Sequence, residues 1–186
     1  TTFTFTVTDA SDSTIDNSTT TVVSTSINNA PVITGAQAGQ GVNDTATLTP
    51  FAGVTISDVD PGETILIELV LNNAANGTLS NLGGGQYDSQ AGLYTISGTA
   101  SEVTAAIRGL IFTPTPNRVA VGSTETTTFT IGAVDASQAV VENSITTAVS
   151  TSINNAPMSL SEDGPGEAPV LERTFTLSVN VFMGSS

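Results

Sequence analysis

The sequence predicts an all-β fold: a β-sandwich module with one short helix, flanked by partial modules. Three observations carry this. Thr, Ser, Val, Ile, Asn and Gly dominate a chain that is 38% hydrophobic, the vocabulary of short strands and tight turns. Apolar and polar residues alternate with period two, as in Phe3, Phe5 and Val7 set between Thr4, Thr6 and Thr8. The opening stretch also returns near the end at a constant offset of about 126 residues, with roughly 20 of 31 aligned positions identical. Thr1-Thr2-Phe3-Thr4 recurs as Thr127-Thr128-Phe129-Thr130, Asp9-Ala10-Ser11 as Asp135-Ala136-Ser137, and Thr25 to Pro31 as Thr151 to Pro157. That spacing fits one sandwich per module and predicts a cut from a tandem array.

In chain order, residues 1–30 read as the C-terminal hairpin of a preceding repeat. One strand runs over Phe3 to Val7, a turn over Asp9 to Asn17, and a second strand over Ser18 to Ile27. Asn28-Asn29-Ala30-Pro31 is the linker, because proline fixes its own φ and holds Ala30 extended. Residues 31–157 read as the complete repeat. Strands are expected at Val32 to Thr34, Thr45 to Leu48, Val54 to Ile56, Ile65 to Leu71, Gly77 to Leu79, Tyr94 to Ile96 and Ile111 to Thr113. A turn at Gly83 to Gly85 and a loop at Asp88 punctuate them. A helix is expected from Ser101 as N-cap, with Val103, Ile107 and Leu110 forming its apolar stripe, crossing between the sheets. Thr126 to Val134 and Ser144 to Ile153 form the closing hairpin. Residues 158–186 open a divergent module or supply a terminal exchanged strand, with Phe175, Leu177, Val179 and Val181 in clean alternation.

Charge narrows the function. Three arginines, no lysine and no histidine face 17 acids, for a formal net charge of -14. Nucleic acid is excluded as a partner, because affinity there rests on cations that neutralise phosphates. An anionic lipid surface is disfavoured for the same reason, and no apolar run reaches the about 20 residues of a membrane span. Without histidine or cysteine no Ser-His or Cys-His nucleophile can be assembled, and the sequence is read as that of a non-enzyme. The glycine run at Gly83 is not followed by a helix carrying lysine, so it is a turn and not a phosphate cradle. Absent cysteine and lysine also rule out disulfide and Lys-Asn isopeptide staples.

A divalent cation is the natural counter-charge. The candidate site is the acidic segment Asp58-Val59-Asp60-Pro61-Gly62-Glu63 together with Asp135, Asn28 and Asn29. Calcium takes six to eight oxygens at about 2.3–2.6 Å from carboxylates, amides and carbonyls. Asp58 and Asp60 on a bent loop aim two carboxylates at one point, which without an ion is a like-charge repulsion. Asp-x-Asp-Pro-Gly is equally a plain turn, in which aspartates bond the local backbone.

These residues resemble the cadherin-like and immunoglobulin-like tandem repeats of large bacterial surface adhesins, over roughly residues 1–157. Phe3 to Asp9 is similar to the penultimate-strand motif that ends in a calcium-binding aspartate. Ile27 to Pro31 resembles the interdomain linker, and Val54 to Asp60 the calcium-ligating Asp-x-Asp segment. The resemblance implies an immunoglobulin/cadherin-like sandwich with Asp58, Asp60, Asp135 and Asn28 as calcium ligands and one ion per joint. It places Asn154 in the same role at the next junction and Asp44 near an acid found early in the domain. It further implies an extracellular, cell-surface stalk or spacer whose partners are neighbouring repeats of its own chain or copies of itself. The alternative is a filament subunit assembled by strand complementation between chains.

Overall fold

The computed structural model describes residues 1–154. The strand expected around Phe175 to Val181, the whole 158–186 segment and Asn155 lie outside the described residues.

The elements in order are β1 (Thr2–Thr8), β2 (Thr14–Thr21), β3 (Val32–Thr34), β4 (Gln40–Asn43), β5 (Thr55–Ser57) and β6 (Ile65–Leu71). A short 3-10 turn (Ala74–Asn76) leads to β7 (Gly77–Ser80), β8 (Gln86–Asp88), β9 (Leu93–Gly98), α1 (Ala100–Gly109) and β10 (Ile111–Pro114). β11 (Thr124–Val134), β12 (Val140–Asn143) and β13 (Thr147–Thr151) close the fold. Among the described residues β1 and β2 pair only with each other. The main sheet runs β4-β13-β11-β6-β9-β8, with β12 on the distal half of β11. Facing it are two short pairs, β3–β5 and β7–β10.

Alternation builds the core. β6 buries Ile65, Ile67, Leu69 and Leu71 and turns Leu66, Glu68 and Val70 outward. β11, its antiparallel neighbour, buries Phe129, Ile131 and Ala133. Phe51 and Phe112 each meet Phe129 edge to face, with centroids 5.1 Å apart at 78° and 84°. This trio fixes the spacing of the layers. Gly77 is required beside it, because a Cβ there would stand 2.4 Å from the Thr113 carbonyl and 2.5 Å from the Phe112 ring.

α1 joins the main sheet to the facing layer, since it follows β9 and precedes β10. It also protects the edge of β5. The buried Thr104 hydroxyl accepts from the Ile56 N–H at 2.9 Å and donates to the Ile56 carbonyl at 3.1 Å, standing in for a neighbouring strand. Arg108 donates to the Val54 carbonyl at 2.6 Å.

Several boundaries differ from the sequence reading. The helix is capped by Thr99, not Ser101. Thr99 accepts from the Glu102 N–H, and the Glu102 carboxylate accepts from the Thr99 N–H at 2.8 Å, forming a capping box. The strand expected at Thr45 to Leu48 lies instead at Gln40–Asn43. A turn from Asn43 to Ala46 intervenes, and Leu48 keeps a single bridge to Phe112. β8 falls where only a loop was expected. β2 starts earlier than Ser18 because the preceding turn closes by Ser13, whose N–H donates to Asp9. The strand expected at Ser144 to Ile153 narrows to β13, and β12 precedes it as a separate, unexpected strand; between them the Asn143 side chain accepts from the Ile145 N–H at 3.1 Å. No helix among the described residues is long and apolar enough to cross a membrane.

Candidate metal centre

Register brings the acids together. Val134, the last residue of β11, pairs with Leu66 near the start of β6. Asp135 therefore emerges beside the loop that delivers Asp58 and Glu63. One carboxylate oxygen from each of Asp58, Glu63 and Asp135 lies within 4.8 Å of the others. Asp135 is buried, and Asp58 and Glu63 are half-buried.

The hydrogen bonds leave oxygens over. Asp135 accepts the Ala139 N–H at 2.8 Å on Oδ1 and the Asn28 amide at 2.9 Å on Oδ2. Asp58 Oδ1 accepts the Asp60 N–H at 2.9 Å, but Asp58 Oδ2 and Glu63 Oε2 are buried without a partner. Buried polar atoms left so are costly unless a donor, a water or a cation meets them. Among the described residues the one ion pair is Arg118 with Glu125, so no side-chain cation does this here.

The electrostatics agree. Burial, and then the charges of Asp135, Asp58 and Asp60, push the Glu63 carboxyl above its ordinary value. The Asn28 amide, aided by the Ala139 N–H, holds Asp135 below its ordinary value against the opposing effect of burial. An all-oxygen donor set of this kind suits a hard divalent cation such as calcium or magnesium and not a metal that prefers sulfur or nitrogen. A cleft of about 340 Å³ lined by Ser26, Asn28, Asp60, Pro61, Glu63 and Ser137 opens beside the cluster.

Of the residues proposed from sequence, Asp58 and Asp135 meet directly, and Asn28 reaches Asp135 from the linker. Asp60 lies one step out, its carboxylate accepting the Asn29 N–H at 2.6 Å. Asn29 engages the loop through its backbone, while its side chain turns back to the Ile27 carbonyl at 3.2 Å. In the sequence Glu63 is only one member of the acidic segment. Its place in the cluster follows from the β6–β11 register, which no local pattern announces.

Asp44 stands apart from this cluster. Buried at the end of β4, it accepts the Asn117 N–H at 3.0 Å and the Ile153 N–H at 3.2 Å, tying the outgoing chain to the sandwich. The Asn117 bond and then the Ile153 bond hold its carboxyl below the ordinary value, against burial. A native value below the unfolded one gives stability that is present above the ordinary carboxylate range and lost as pH falls through the lowered value. Asp44→Asn is therefore expected to lower the melting temperature at pH 7 and to make little difference once the pH is well below about 4. Melting curves across that range check it.

No protein-family model matches the chain, and comparison with curated proteins and with solved structures gives no match either.

Proposed function

We propose that this chain is a structural repeat of an extracellular surface array, a spacer or stalk, and that a calcium ion stiffens the joint at its linker. The carrying observation is that Asn28 of the linker bonds Asp135 at the edge of an acidic cluster with two unpartnered buried oxygens. In this reading Asp58, Glu63 and Asp135 hold the ion, with Asn28 and the Asp60–Asn29 contact fixing the linker against the same loops. An ion there converts a flexible Asn-Asn-Ala-Pro joint into a braced one. The internal repeat, the acidic composition and the resemblance to adhesin repeats support the extracellular array. The absence of His and Cys supports a load-bearing role without catalysis.

A second reading, a filament subunit built by strand complementation between chains, is favoured by the exposed apolar residues of the β1–β2 hairpin. Thermal unfolding with and without calcium, with light scattering alongside, tests both. An ion held only by the native state raises stability by about 2.7 kcal/mol at a concentration one hundred times its Kd. The midpoint is expected to rise in millimolar calcium while the particle stays monomeric. A midpoint unmoved by calcium removes the clamp, and growth into long particles favours the filament.

A further inference from the structure

The β1–β2 hairpin repeats the closing hairpin of the sandwich in structure as well as in sequence. Thr2↔Thr21, Phe5↔Asn17, Thr6↔Asp16, Val7↔Ile15 and Thr8↔Thr14 reappear as Thr128↔Thr147, Ile131↔Asn143, Gly132↔Glu142, Ala133↔Val141 and Val134↔Val140. The turn repeats where the residues differ. Asp9 Oδ1 accepts the Ser13 N–H as Asp135 Oδ1 accepts that of Ala139, and Asp12 (φ 60°) and Gln138 (φ 69°) share the left-handed region. Asn17 accepts from Thr19 as Asn143 does from Ile145.

Two things differ: β2 is unbroken where β12 and β13 are separate strands, and the apolar face is bare. Phe3, Phe5 and Val7 are 46%, 58% and 63% exposed, whereas their counterparts Phe129, Ile131 and Ala133 are at 0%. A hairpin with a bare apolar face is marginal in water and marks a surface meant to be covered.

We infer that β1–β2 is built to close a second sandwich of this same repeat, and that its occupant is a set of strands equivalent to β3–β10 offered by a repeat joined ahead of Thr1. The inference rests on the repeat-array reading of the chain and is independent of the ion. The required contacts are those β11 makes here. β6 lies along one edge in the register Phe129↔Leu71, Ile131↔Leu69, Ala133↔Ile67, and rings equivalent to Phe51 and Phe112 bracket the phenylalanine.

A second copy of the chain is the weaker occupant. Its own β11–β13 already fill that surface, leaving only a hairpin to lie against a hairpin. That contact would also oppose Asp9, Asp12 and Asp16 to themselves, with no Lys or Arg anywhere in residues 1–30.

The test places residues 31–126 directly before Thr1 of the full chain, so that Thr126 precedes Thr1 as it precedes Thr127 here. Hydrogen exchange is then read at β1 and β2. In the unextended chain their amides are expected to exchange quickly. In the extended chain they are expected to slow by at least about 100-fold, approaching β11. Phe5→Asp is expected to abolish that protection in the extended chain while leaving β11 protected, to leave the unextended chain's melting unchanged, and Phe5→Ile, the residue found at 131, is expected to preserve it. Hairpin amides that stay fast in both the extended chain and its Phe5→Ile variant overturn the inference. So does an unextended chain that sizes as a dimer with β1 and β2 already protected. Loss of the calcium response alone leaves the exchange result unaffected, so the two readings fail separately.

Discussion

Phe129→Ala is expected to cost about 3–5 kcal/mol, most of the stability of a sandwich whose total lies at about 5–15 kcal/mol. The ring is fully buried, and it forms the contact between Phe51 and Phe112 across the layers. Its removal leaves a cavity that the strands of both sheets are too constrained to fill. The same change at Phe3, which occupies the equivalent hairpin position, is expected to cost only about 1 kcal/mol, because that ring is about half exposed. Urea unfolding of the two variants, compared at constant slope, reads the difference. Equal losses at both positions would mean that the hairpin face is already covered.

The second large effect is expected at Glu63. Its carboxyl is raised by burial and by Asp135, Asp58 and Asp60. For an acid with a native value above its unfolded value, the native state binds the proton more strongly, and stability falls as pH rises from the ordinary carboxylate range through the raised value. In chelator at neutral pH the cluster therefore works against the fold. Glu63→Gln is expected to raise the melting temperature under those conditions. In calcium the order reverses, because the ion needs the charge the variant lacks, and the apparent affinity is expected to weaken by at least about tenfold. Calorimetric titration with calcium, paired with melting curves in chelator, checks both limbs. A variant that melts with the parent in chelator and gains as much from calcium contradicts the assignment.

Local chemistry made much of this fold legible. The alternation in Ile65 to Leu71 and in Thr126 to Val134 marks the two central strands, and the offset between Phe3 and Phe129 marks the duplicated hairpin. Features set by distant pairing were not legible. β4 finds its place only because it lies parallel to β13, over one hundred residues later, and β8 only because β9 offers an edge. Glu63 joins the cluster through the same kind of long-range register. Thr99 and Ser101 are both good caps by residue type; what decides between them is the reach of Glu102 back to the Thr99 N–H. Asp58 and Asp135 could be named from sequence because their turn chemistry is local, but whether they meet depends on β6 lying beside β11.

In the proposed array, the parallel contact of β4 with β13 would set how the chain answers tension. Gln40 to Asn43 lie beside Ala148 to Thr151 and run the same way, one strand close to the incoming linker and the other close to the outgoing one. Pulling the ends apart drags these two strands past each other along their lengths, so their hydrogen bonds bear the load in unison instead of parting one at a time like a zip. Asp44, which accepts from Ile153 just beyond them, sits where force from the C-terminal side of the sandwich would enter.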